Sequence, residues 1–207
     1  MWQPTQITLR TRLKPLLHGL ALAPFLLLVY GLLSNSLGAN PIETLTHNTG
    51  LWGLKFLLLT LSISPLLKIT QVKWPMQFRR MLGLYSAFYV LLHVLVYLVF
   101  DQSLSLAYVL EDIQERPYIT AGFVGLISLI PLAITSPLSI RRRMGRQWIK
   151  LHRLTYLVGI AAIVHLLWLT KADYGQAWVY GSLFTLLMIY RLPVFLRQRL
   201  PRIGLGR

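Results

Sequence analysis

Five histidines carry the chemistry open to this chain: His18, His47, His93, His152 and His165. There is no cysteine. Disulfides, thiolate ligands, iron–sulfur clusters and covalently attached c-type haem are therefore excluded, and histidine nitrogen is the expected ligand for any haem. His93 follows the apolar run MLGLYSAFYVLL, while His152 and His165 bracket RLTYLVGIAAIV. Hydrocarbon offers an imidazole no hydrogen bond, so a histidine at membrane depth has a partner or a function. Two chemistries suit such residues: axial ligation of haem iron, or a polar pathway through the bilayer.

The elements that must position these histidines are membrane helices. The chain has 207 residues, of which 55% are hydrophobic and 13% charged. Apolar runs at about 16–34, 51–69, 81–100, 118–138, 151–170 and 176–192 are long enough to cross a hydrocarbon core of about 30 Å. The expectation is an all-α integral membrane protein, a bundle of six transmembrane helices forming one domain over 1–207. The N-terminal MWQPTQITLRTRLK reads as the flank of an uncleaved first span, without a small-residue cleavage site. No internal repeat stands out.

Charge orients the bundle. Eighteen of the 21 basic residues flank the spans on one side, and all six acids lie on the other. The positive-inside rule then puts both termini in the cytoplasm. The net charge of +15 follows from those short basic loops and does not call for a nucleic-acid partner.

Orientation gives each histidine a depth. His93 lies seven residues from the outer end of span three, and His165 five from that of span five. Matched in height on two helices, they can sandwich one haem iron. His152 and His18 sit at inner span ends, and His47 in the first outer loop. His152 and His165 are 13 residues apart, roughly 20 Å along an ideal helix and about 140° apart around it. They need not serve one face, although Gly159 between them would permit a bend. Haem propionates need cations. Lys55, Arg116 and Lys171 are the outer candidates, and Arg79, Arg80 and Arg153 the inner ones. Two roles stay open for His152: proton acceptor in an inner quinol site beside the basic loop, or ligand to an inner haem with His18 as its partner. Asp101, Glu111, Asp112 and Glu115 form an outer acidic segment suited to docking an electron acceptor.

Four stretches carry a family likeness: NPIETLTHNTG, FRRMLGLYSAFYVLLH, RRRMGRQWIKLHRLTYL and the later His165. Together they resemble the haem-binding membrane subunits of bacterial protein-methionine-sulfoxide reductase systems, within the ferric-reductase-like transmembrane group. The resemblance implies a cytochrome with one or two b-type haems, held by His93, His152 and His165, in the bacterial inner membrane. It implies electrons drawn from quinol and passed to a periplasmic molybdopterin subunit that reduces methionine sulfoxide in oxidised proteins. Flavin mononucleotide (FMN) is a further cofactor it implies. One departure stands out. The inner part of span three reads Phe78-Arg79-Arg80, where oxidase relatives carry a second histidine. There is also no G-x-G-x-x-G phosphate turn for a nicotinamide cofactor. The expected function is an electron conduit. The rivals are a free-standing ferric or cupric reductase and a small histidine-lined transporter or metal permease.

Overall fold

The computed structural model describes residues 5–170 and 174–199. Helix α1 spans Lys14–Leu33, after a π-helical turn at Leu9–Leu13. Helix α2 spans Pro41–Thr70, and α3 spans Arg79–Val96, extended by a π-helical turn at Tyr97–Asp101. The short α4, Leu106–Glu115, precedes α5, Pro117–Ile134. Two short helices follow, α6 at Leu138–Met144 and α7 at Arg146–Leu151. Helix α8 spans Leu154–Leu169, and α9 spans Gly175–Arg199. Among the described residues, five segments are long and apolar enough to cross a membrane: Thr11–Leu33, Pro41–Thr70, Trp74–Asp101, Pro117–Ile134 and Arg146–Leu169. Helix α9 occupies the place expected of a sixth and runs past its expected end at about 192.

The largest difference from expectation is the start of α2. It begins ten residues before the expected span at 51, inside the polar stretch read as a loop. Hydropathy is blind to this start, but local chemistry dictates it. The Asn40 side chain accepts from the Glu43 backbone N–H at 3.2 Å, Pro41 takes the first helical position, and Asn40 Nδ2 donates to Glu43 Oε2 at 3.0 Å. The side chains of Thr44, Thr46, Asn48 and Thr49 then donate to carbonyls one turn back. His47 is thus a helical residue and not a loop residue.

Two helix pairs form the centre: α2 against α3, and α5 against α8. Helix α9 closes the bundle against α2 and α8. The core holds Leu57, Leu61, Leu129, Val158, Phe184 and Leu187. Large apolar side chains such as Leu27, Ile127 and Leu186 point outward, as lipid-facing positions must. Gly159 serves packing: a Cβ there would collide with the Phe184 ring of α9. Helix α1 is pinned by Tyr89, which is fully buried. Its hydroxyl donates to the Ala21 carbonyl at 2.7 Å and accepts from the Phe25 N–H at 3.1 Å. It thereby inserts into the α1 hydrogen-bond ladder beside Pro24, a recognised cause of helix bending.

Candidate haem site

His93 on α3 and His165 on α8 face one another, with ring centroids 6.0 Å apart and planes at 85°. Each is fixed through Nδ1. His93 Nδ1 lies 2.8 Å from the Thr46 carbonyl, and His165 Nδ1 lies 2.6 Å from the Tyr118 carbonyl. A carbonyl only accepts, so Nδ1 carries the proton in both rings. Each Nε2 keeps its lone pair, the form in which imidazole binds a metal.

Glycine makes these contacts possible. A Cβ on Gly50 would lie 3.1 Å from His93 Nδ1, and one on Gly122 would lie 3.0 Å from His165 Nδ1. One turn deeper, a Cβ on Gly53 would meet Val90 at 2.8 Å, and one on Gly125 would meet Ala161 at 3.5 Å. The two sets are one arrangement used twice. Thr46, Gly50, Gly53 and His93 recur 72 positions later as Tyr118, Gly122, Gly125 and His165 (46 to 118, 50 to 122, 53 to 125, 93 to 165). Ser64-Pro65-Leu66 recurs at the same offset as Ser136-Pro137-Leu138. The pairs α2–α3 and α5–α8 are therefore equivalent hairpins, an internal repeat that sequence reading missed.

A cavity of about 1220 Å³ opens between the pairs. His93, His165, Gly50, Gly122 and Gly125 line it, with Leu57, Leu129 and Val158 among its deeper apolar residues. It exceeds the usual size of a small-molecule site. Two imidazoles binding one iron from opposite faces at about 2 Å hold their centroids roughly 6 Å apart. The observed separation, the Nδ1 hydrogen bonds and the cavity fit a haem that His93 and His165 would hold through their free Nε2 atoms.

The rim at the end expected to face outward is polar. Asp112 is buried, and its Oδ2 accepts from Tyr97 at 3.0 Å and from Gln102 at 2.7 Å. Arg116 pairs with Asp112 Oδ1 at 3.2 Å, and that carboxylate holds the guanidinium above its usual range. Asp112 is thus consumed in anchoring α4 and is not part of an open docking surface. Asp101, Glu111, Glu115 and Glu43 also line the cavity. Arg116 is the basic side chain on this rim. Lys55 instead sits over the Trp52 ring, 4.3 Å from its centroid, and does not line the cavity. Lys171 lies outside the described residues.

The inner histidines are arranged differently. His18 Nδ1 lies 2.7 Å from the Tyr85 hydroxyl. His152 Nε2 lies 3.2 Å from Thr135 Oγ1, and its ring stacks on Trp148 at 3.8 Å. Thr135 Oγ1 donates to the Pro131 carbonyl at 2.6 Å, so its oxygen is left to accept from His152 Nε2–H. His18 and His152 meet different helices, α3 and α5, and not each other. Among the described residues no three histidine or acidic side chains converge on one point, so His152 does not join the His93–His165 pair. Arg79 Nη1 donates to Ser64 at 3.2 Å, whereas Arg80 and Arg153 are exposed. Arg141 lies over Trp148 at 4.8 Å, and both line a second hollow of about 440 Å³.

The sequence from 49 to 163 matches the family described as ferric reductase like transmembrane component. A protein-methionine-sulfoxide reductase heme-binding subunit MsrQ from Xanthomonas euvesicatoria is 42% identical over 185 residues, covering 86% of this chain and 85% of that protein. The chain belongs to this ferric-reductase-like transmembrane family. The protein of the same name from Herminiimonas arsenicoxydans is 42% identical over 192 residues, covering 91% and 87% of the two chains. No solved structure matches. The matched segment runs from within α2 into α8 and covers most of both repeated hairpins, leaving out Thr46 and His165.

Proposed function

We propose that this chain is the b-type cytochrome subunit of a protein-methionine-sulfoxide reductase system, an electron-transfer component with its haem between His93 and His165. The observation that carries the reading is the pair of imidazoles 6.0 Å apart, each with Nδ1 on a backbone carbonyl. Haem supplies one-electron redox chemistry when bound. The residues of this chain bind and orient it: Thr46 and Tyr118 fix the two rings, Gly50 and Gly122 admit them, and Arg116 offers an outer counter-charge.

The wider assignment follows the six-span reading, with both termini in the cytoplasm of a bacterial inner-membrane protein. The partner is a periplasmic molybdopterin subunit that reduces methionine sulfoxide, approaching the outer rim. Quinol is the donor at the inner end. There His152, Trp148 and Arg141 supply a hydrogen-bonding imidazole, an aromatic face and a cation. FMN, the further cofactor implied by resemblance, would meet the same aromatic and basic groups. His152 is assigned to this end because its Nε2 is engaged by Thr135. The test is absorbance of the purified protein. His93→Ala and His165→Ala should each abolish the sharp reduced bands of a bis-histidine haem, and unchanged bands in both would sink the assignment.

A further inference from the structure

Helix α2 has a defect on its inner half. Pro65 has no N–H, so the Leu61 carbonyl loses its intrahelical donor. The repair comes from another helix. Arg191 on α9 donates through Nη2 to the Leu61 carbonyl and through Nη1 to the Leu187 carbonyl at 3.3 Å. Its guanidinium also lies 5.8 Å from the Tyr156 ring centroid. Arg191 is only 9% exposed. A neutral donor would satisfy a carbonyl. An arginine adds a permanent full charge at membrane depth, which is costly without a counter-charge.

Among the described residues no carboxylate pairs with Arg191. The sole ion pair among the described residues joins Asp112 to Arg116 at the outer rim. Glu43, Asp101, Glu111, Asp112 and Glu115 all line the outer cavity. A second cation, Arg79, is held on Ser64 of α2, three residues from Leu61. Leu61 is four residues beyond Leu57, a deep lining residue of that cavity, so the charge reaches α2 about 6 Å of helix rise below it. Gly50, packed on His93, is eleven residues from Leu61, roughly 16 Å of helix rise, and a charge still acts over that range through a weakly polarisable core.

We propose that Arg191 is a fixed counter-charge for the electron that the buried haem site receives, and not only a cap for the Pro65 gap. This rests on the haem reading above. An added electron makes the site more negative by one charge, and a guanidinium already in place stabilises that state without taking up a proton. Arg191 therefore raises the midpoint potential and favours electron entry from the inner side. Arg79, held on Ser64, adds a smaller effect of the same sign.

The test is a spectroelectrochemical titration of the full-length, haem-loaded protein in detergent. Arg191→Met should lower the midpoint potential, and Arg191→Lys should hold it near the wild-type value. The double variant Pro65→Ala/Arg191→Met separates cap from charge, because the restored N–H at position 65 closes the ladder to Leu61. It should regain wild-type thermal stability and keep the lowered potential. A wild-type potential in that double variant overturns the proposal and leaves Arg191 a cap. If the double variant does not assemble, Arg79→Gln decides, since it leaves the cap intact. A small fall in potential supports the proposal, and an unchanged potential counts against it. Failure of the wild-type protein to bind haem would instead overturn the haem reading.

Discussion

At the outer end of the bundle, α3 and α8 each present a histidine whose Nδ1–H meets a carbonyl across a glycine. At the inner end the same two hairpins diverge. His152 stands where the first hairpin carries Arg80, and Thr135 where it carries Ile63. On the proposed reading, the outer site is symmetric because it would grip a flat group from both faces. The inner end has no such requirement, and its basic and aromatic side chains collect around one histidine. If electrons enter at His152 as proposed, the conduit has a direction, with a symmetric station near one end of the bundle and an asymmetric entrance near the other.

The sharpest way to break the comparison is at His152. If the inner histidine serves electron entry, His152→Ala should keep the haem content and reduced bands that His165→Ala destroys, while reduction by quinol falls by an order of magnitude or more. His18→Ala should likewise spare the haem. Loss of haem in His152→Ala, measured as haem per protein, would return this residue to the ligand set that the resemblance implies.

Glycine offers a subtler probe of the outer equivalence. Valine at Gly50 or Gly122 would push branched atoms into an imidazole seated near 3 Å, overpacking that costs roughly 1–3 kcal/mol. Because the hairpins are equivalent, Gly50→Val and Gly122→Val should weaken haem retention to a similar degree. A large effect at one site and none at the other, in haem release on mild heating, would show that the two hairpins do not share the load.

How much of this was legible in the sequence depends on what each feature is made of. Spans three to five are written in side-chain hydropathy, and the expected segments agree with α3, α5 and α8 to within a few residues. The facing of His93 and His165 was legible from depth alone. The carbonyls that fix them were not, since Thr46 and Tyr118 act through backbone and their side-chain types carry no signal. The hairpin repeat escaped notice because few residues coincide at the 72-residue offset, chiefly His93/His165, the paired glycines and Ser-Pro-Leu. Arg191 was counted only among the eighteen basic residues flanking the spans, although Pro65 announced an unpaired carbonyl. Lys55 was read as a propionate partner, but the Trp52 face holds it.

The smallest expected effect tests the one end of a hairpin that hydropathy misread. Helix α2 starts on the Asn40 cap, whereas α5 starts at Arg116 and Pro117 without a side-chain cap. Removing an Asn cap costs about 0.5–2 kcal/mol. In Asn40→Ala that loss falls on the first turns of α2, and Thr46, whose carbonyl holds His93, lies within them. The carbonyl that holds His165 belongs to α5 and does not depend on this cap. Asn40→Ala should therefore lower the thermal midpoint by a few degrees and loosen only the His93 side of the haem. Combined with Gly50→Val, which strains the same ligand, it should show coupling; combined with Gly122→Val, the effects should add. Additivity in both combinations would mean that the start of α2 frays without reaching Thr46.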